Sequence, residues 1–261
     1  EQKIRSYPSG YDQLGAIFSR FGKGIFDSNS GSYVDHGVPF IRIQNLKNGL
    51  IDTQGMAFIP KSINDEGHKT QLLKGDIVLS KTAYPAASLV SVEYANTSQD
   101  TIATTLSEYG QLHYNASTIV AYLNSSIGNS LLWRQFQGNV QLHLSLDDGR
   151  KVPIPRISEK LQVAIGNCFA LSHRLRDVAA ERIAEADQSL LQALGLSNWQ
   201  APEPLSYTRS SSDAFAAGRL DAEYFHPAKT AALAALQAQS HFTVGDLFDS
   251  VRELWQPDDW N

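Results

Sequence analysis

Four short runs of this 261-residue chain hold side chains of the kinds that grip a base edge or a phosphate. Gln44, Asn45 and Lys47 follow an apolar run that reads as a strand. Each amide side chain sets a donor beside an acceptor, complementary to the exposed edge of adenine, and a lysine suits guanine or phosphate. Lys81, Thr82 and Tyr84 follow a second such run. There Lys81 would hold a phosphate, and the Tyr84 ring would pack on a sugar or base. Asn139, Gln141 and His143 lie just beyond a short amphipathic stretch, and Arg20 and Lys23 belong to the run Arg20-Phe21-Gly22-Lys23-Gly24. The bland alternative for every one of them is a solvated loop residue; His143 in particular reads as a surface histidine before it reads as a ligand.

No constellation for catalysis accompanies them. Phe21-Gly22-Lys23-Gly24 is too short for a phosphate-binding or dinucleotide loop and lacks the strand-to-helix context. Neither an HExxH pair nor a GxSxG elbow is present. An Asn-Pro-Pro-Tyr-like tetrapeptide for adenine methylation is missing too. His36, His68, His113 and His143 are scattered without ligand spacing, so no metal site is expected. The single cysteine, Cys168, excludes a disulfide framework and fits a reducing cytoplasm; it reads as a small buried hydrophobe. The net charge of −5 is uneven: residues 1–155 carry thirteen basic and thirteen acidic residues, residues 156–261 nine and fourteen. A nucleic-acid binder with this balance must concentrate positive charge locally or borrow it from a partner.

The elements that would position these residues form an α+β pattern. Residues 38–43, 50–51, 56–59, 77–80, 88–94, 101–106 and 117–123 read as short strands, with Asn48-Gly49 a turn and residues 64–67 a polar break. Ser126 would cap a helix over 127–136 that ends at Gly138. Val152-Pro153-Ile154-Pro155 holds the backbone extended before a long helix over 157–194, N-capped by Ser158 and closed by Gly195. Leu161, Ile165, Cys168, Leu171, Leu175, Ile183 and Leu190 recur there at steps of three and four, a stripe that needs a partner surface. Residues 197–212 read as a linker, and Pro227 opens an Ala/Leu-rich helix to about residue 239. Finally, Val244-Gly245-Asp246-Leu247-Phe248 repeats the pattern of Leu14-Gly15-Ala16-Ile17-Phe18, as a duplicated unit would.

Four stretches together resemble the specificity subunit of type I restriction-modification systems. They are residues 37–46 (Gly-Val-Pro-Phe-Ile-Arg-Ile-Gln-Asn-Leu), residues 73–80 (Leu-Lys-Gly-Asp-Ile-Val-Leu-Ser), Gly138-Asn139-Val140-Gln141 with the Pro-rich run before the long helix, and residues 219–225 (Arg-Leu-Asp-Ala-Glu-Tyr-Phe). The resemblance implies a strand-rich target-recognition domain over 1–156, a coiled-coil-like spacer helix over 157–195, a linker over 196–212 and the start of a second repeat over 213–261. It further implies a non-catalytic, cytoplasmic subunit that reads double-stranded DNA and directs adenine methylation to a bipartite target. No cofactor would be bound by this chain; S-adenosylmethionine would sit in a partner methyltransferase subunit. A restriction subunit, and a second copy or a second recognition half meeting the helix stripe, complete the implied partners. The rival reading is a module that binds protein or polysaccharide and dimerises through its long helix, which the acidity favours.

Overall fold

Residues 10–26, 33–47 and 49–238 are described by the structure, a computed structural model. The chain divides into two compact units, Glu1–Arg176 and Asp177–Asn261, with the boundary inside one long helix. The first unit is built on a six-stranded sheet formed by β2 (Phe18–Lys23), β4 (Leu46–Lys47), β5 (Leu50–Ile51), β8 (Ile77–Ser80), β9 (Ala87–Leu89) and β11 (Thr101–Leu106). Their spatial order is β2-β11-β8-β9-β5-β4. All neighbours are antiparallel except β5 and β9.

This sheet is apolar on both faces. Ile77, Leu79 and Ile102 enter one core, and their neighbours Val78 and Ala103 enter the other, as the alternation of a strand requires. The first core is covered by α1 (Leu14–Ile17), α4 (Ala116–Asn124) and α5 (Ser126–Trp133). The second core contains Ile41, Leu72 and Ala95, from three strands of a four-stranded sheet. That sheet comprises β3 (Val38–Ile41), β6 (Ala57–Ile59), β7 (Leu72–Leu73) and β10 (Tyr94–Thr97).

A buried polar network joins the smaller sheet to α2 (Lys61–Glu66). Asn96 donates to Asn64 Oδ1 at 2.9 Å and accepts from Thr70 Oγ1 at 2.7 Å, while Asn64 also bonds the Tyr94 hydroxyl. These groups are paired, so burying them is tolerated. At the exit of the domain, β14 (Pro153–Pro155) pairs antiparallel with β1 (Tyr11–Gln13), first strand against last.

The long helix runs over Glu159–Ala193. Ser158 occupies the N-cap, its carbonyl accepting from the amides of Leu161 and Gln162. Gly195 adopts φ +67° at the other end. Its N–H bonds the Gln192 carbonyl and that of Leu196 bonds Leu191, a complete Schellman closure. Buried Gln162 pins the first turns to the domain: its side chain accepts from Asn115 N and donates to the His113 and Ile157 carbonyls. Phe169 packs on the first core two turns later. Beyond it the stripe is exposed among the described residues: Leu171, Leu175, Ile183 and Leu190 are exposed, as is Leu161 nearer the start, and Ile165 is half-buried. Cys168 is exposed rather than buried, because it points away from the domain that Phe169 touches.

In the second unit, α8 (Ser211–Ala217) begins within the expected linker, capped by Ser210 Oγ accepting from Asp213 N. The last described helix, α9 (Pro227–Gln237), has its proline at the start, as expected. The second copy of the Leu14–Phe18 pattern, residues 244–248, lies outside the described residues, as do Asn48 of the expected turn and residues 255–261.

The architecture is the mixed α and β arrangement expected, with several sheets and one long helix. Five local readings change. Residues 117–123 form helix α4, because their β-branched run is buried on almost every side and propensity yields to packing. The strand expected over 88–94 is two strands in different sheets. The strand from Val38 stops at Ile41, where Asn45 Oδ1 accepts from Arg42 N and starts a 3₁₀ turn over Ile43–Asn45. Residues 64–67 are the end of α2 and its cap rather than a break. The cap of α5 is Ser125, one residue earlier than expected, and the helix stops at Trp133.

Candidate nucleic-acid interface

Strand register sorts the sequence candidates into two groups. Lys23 on β2 pairs with Ile102 on β11, and Ile102 with Leu79 on β8. Lys23 therefore stands at the end of the sheet where β8 delivers Lys81, two strand spacings or about 10 Å away. Arg20 pairs with Thr105, at the opposite end, and Lys47 aligns through Leu50 and Leu89 with Ile77, also at that end.

The opposite-end group is occupied with structure. Arg20 is part-buried, bonding Asp76 Oδ2 at 3.0 Å, Thr105 Oγ1 at 2.5 Å and the Gln71 carbonyl. Burial lowers its pKa and the Asp76 charge opposes that. Asn45 is 1% exposed, and its amide donates to the Asp52 carbonyl at 2.9 Å while its oxygen caps Arg42. Lys47 pairs with Asp52 at 3.1 Å. Gln44 is exposed beside them.

At the other end two loops interlock. The hairpin from β12 (Phe136–Gln137) to β13 (His143–Leu144) carries Asn139, Gln141 and His143, all exposed. Gly138 makes its turn possible at φ +128°: a Cβ there would lie 2.3 Å from the Gln141 carbonyl oxygen. The loop after β8 lies against this hairpin. Thr82 bridges His143, Ala83 N donates to the Leu142 carbonyl at 3.1 Å, and Leu144 N to the Lys81 carbonyl at 2.8 Å. Lys81 N in turn bonds the Asp100 carbonyl at 2.8 Å. Thr82 is buried by these contacts and so serves the scaffold, whereas Lys81 is half-buried and Tyr84 is 43% exposed.

Ala83 has φ +63°, the one non-glycine residue with positive φ among the described residues. The Tyr84 amide bonds back to the Thr82 carbonyl at 2.8 Å, so Ala83 is the centre of a γ-turn of the strained hand. Such a conformation costs on the order of 1–3 kcal/mol and persists only where surrounding bonds over-determine it. Here they do. Ser80 Oγ donates to the Tyr84 carbonyl and accepts from Ala86 N, Asn129 donates to the Pro85 carbonyl at 3.1 Å, and Asn124 bonds both backbone groups of Ala87. The resulting surface presents lysines, a tyrosine ring, two amides and an imidazole from rigid loops. That set suits phosphate contact, stacking and base-edge bonding at once.

Sequence reasoning found the exposed members and missed what holds them. Ala83 carries no signature for positive φ, unlike Gly or Asn. Asn124 was hidden by the strand read over 117–123, and Asn129 looked like an ordinary polar residue of the expected short helix. Among the described residues, no group of three or more His, Cys, Asp or Glu is placed to hold a metal ion. No described helix is long and apolar enough to cross a membrane.

No family model matches the chain, and no curated protein does. Solved structures do match. The chain resembles type I restriction-modification subunits. One match comes from a study of complex assembly and conformational transition of the type I R-M system, with 17% identity and TM-score 0.46, over 72% of this chain and 45% of that one. A second is the S subunit of a type I restriction-modification system from M. genitalium, at 13% identity and TM-score 0.44, over 77% and 56%. The HsdS subunit from Thermoanaerobacter tengcongensis is a third, at 14% and 0.40, over 73% and 44%. The chain thus spans about half the length of the structures it matches.

Proposed function

We propose that the first unit reads DNA sequence with the interlocked loops at residues 81–84 and 138–143, as the recognition part of a type I methylation complex. One observation carries the reading. Residues far apart in sequence, chosen for their base- and phosphate-binding chemistry, meet at one end of one sheet around a turn whose strain the fold sustains. Lys81 and Lys23 would hold phosphates, Tyr84 would stack, and Gln141 and Asn139 would bond base edges in the major groove. The chain would be non-catalytic. Adenine methylation would come from partner subunits that carry S-adenosylmethionine, and a restriction subunit could join them.

The long helix, 35 residues and so about 50 Å, would space this reader from a second one and make the target bipartite. Its uncovered stripe would take a partner helix, from a second copy or from the rest of a longer subunit. A genome-wide map of N6-methyladenine in source cells, with the gene intact and deleted, tests the proposal. Loss of methylation at one split motif is the expected result. An unchanged map in cells that express a cognate methyltransferase overturns it and turns attention to protein partners of the stripe.

A further inference from the structure

The junction between α4 and α5 does something that core packing does not require. It grips the loop that carries Tyr84 by two asparagine side chains. Asn124, the last residue of α4, accepts from Ala87 N at 3.1 Å and donates to Ala87 O at 2.7 Å. Asn129, in α5, donates to the Pro85 carbonyl at 3.1 Å. The junction itself is fixed by Ser125, which caps α5 through Gly128 N, so both side chains leave one rigid corner.

We propose that Asn124 and Asn129 are positioning residues for sequence discrimination. They would act through residues 80–87, holding Ala83 in its left-handed turn and so fixing where Lys81 and Tyr84 stand against Gln141 and His143. This rests on the DNA-reading proposal. Neither residue touches DNA in this scheme, since the amide oxygen and nitrogen of Asn124 are spent on Ala87. The loop is anchored at one side by the bond from Ala83 N to the Leu142 carbonyl, in the middle by Ser80, which bonds the Tyr84 carbonyl and Ala86 N, and at the other side by these two amides. Releasing the last of these loosens residues 85–87 and lets the strained turn at Ala83 relax, which displaces Tyr84 without emptying either core.

Physical consequence separates this role from a merely structural one. Backbone-directed contacts such as Lys81 with phosphate tolerate displacement, whereas base-edge bonds do not. Loss of the anchor should therefore lower the ratio of cognate to non-cognate affinity while leaving non-specific affinity and its salt dependence in place. The experiment uses the chain assembled with its methyltransferase partner. The probes are the duplex motif identified in the methylation map and its single-base variants. Asn124→Ala, Asn129→Ala, Asn124→Asp, Ala83→Gly and Tyr84→Ala are compared.

Asn124→Ala should lower discrimination about tenfold at the positions read by this unit and not at those read by the other half. Asn124→Asp keeps the acceptor for Ala87 N and loses the donor, and should fall between. Ala83→Gly takes positive φ without strain, so its melting temperature should be unchanged or raised and its discrimination kept, and added to Asn124→Ala it should restore part of the lost discrimination. Recovery of that kind is not produced by general destabilisation. Unchanged discrimination in Asn124→Ala, with Tyr84→Ala still impaired, overturns the positioning role and leaves the reader intact. If Tyr84→Ala is also silent, and deletion of the gene leaves the map unchanged, the DNA-reading proposal falls with it.

Discussion

At the scale of single residues, type alone did not tell an exposed candidate from a residue of the scaffold. Gln44, Asn45 and Lys47 looked equivalent as candidates, yet Asn45 is buried with both ends of its amide bonded, and removing it orphans Arg42 N and the Asp52 carbonyl. Asn45→Ala should cost about 1–3 kcal/mol in urea unfolding, with no specific effect on DNA discrimination. The distinction was illegible in the sequence because the turn that consumes the amide exists only once β4 and β5 pair.

Asp12 shows the same point through charge. Its side chain, 12% exposed, receives Arg156 in a two-pronged bond and the hydroxyls of Tyr109 and Tyr114. Burial pushes its pKa up, but the bonds from Arg156, Tyr114 and Tyr109, with the Arg156 charge, outweigh it and hold the carboxyl below the usual 3.8. A depressed acid stabilises the fold above its unfolded value and loses that contribution as pH falls through the folded value. Acid unfolding should therefore show Asp12→Asn less stable than the parent near pH 7 by about 2 kcal/mol, the gap closing below about pH 4.

Elements were legible where local chemistry and packing agreed. The long helix announces itself by prolines before it, Ser158 at its start and Gly195 after it, the strand over Ile77–Ser80 by its apolar run and that over Thr101–Leu106 by its β-branched residues. Helix α4 was not legible. Its Ser-Thr-Ile-Val run favours strand locally, and only burial of Ser117, Thr118, Ile119, Val120, Tyr122 and Leu123 among surrounding elements makes it a core helix. Docking of the long helix was equally hidden, since Gln162 and Phe169 look ordinary in the sequence. Phe169→Ala should cost about 2 kcal/mol, less than for a fully buried ring, and raise hydrogen exchange in the turns after Glu159. Gly195→Ala should fray the other end, about 1 kcal/mol, seen as loss of helical circular dichroism.

For the whole molecule, the uncovered stripe is the largest piece of unfinished business. Leu175 and Ile183 are 57% and 70% exposed on a helix whose opposite positions are charged. A row of that kind associates in water. Sedimentation of the chain should show concentration-dependent self-association or capture by a partner helix, and Leu175→Glu with Ile183→Glu should abolish it while leaving the first unit's unfolding midpoint unchanged. Periodicity placed these residues on one helix, and exposure among the described residues is what the structure adds.

The pairing of β1 with β14 has a consequence during synthesis. Asp12 finds Arg156 across 144 positions of sequence. At the usual 5–20 residues per second, the first strand leaves the ribosome roughly 7–30 s before its partner does. Through that interval Tyr11–Gln13 is an unpaired edge, and α1 lacks the Val152 carbonyl that will accept the Leu14 amide. The nascent domain is therefore open at its seam until the ribosome has passed the proline-rich run, and a chaperone that shields strand edges would have its period of use there. Once closed, entry and exit lie side by side, so the domain behaves as a cassette that a host chain can carry with little strain at the join.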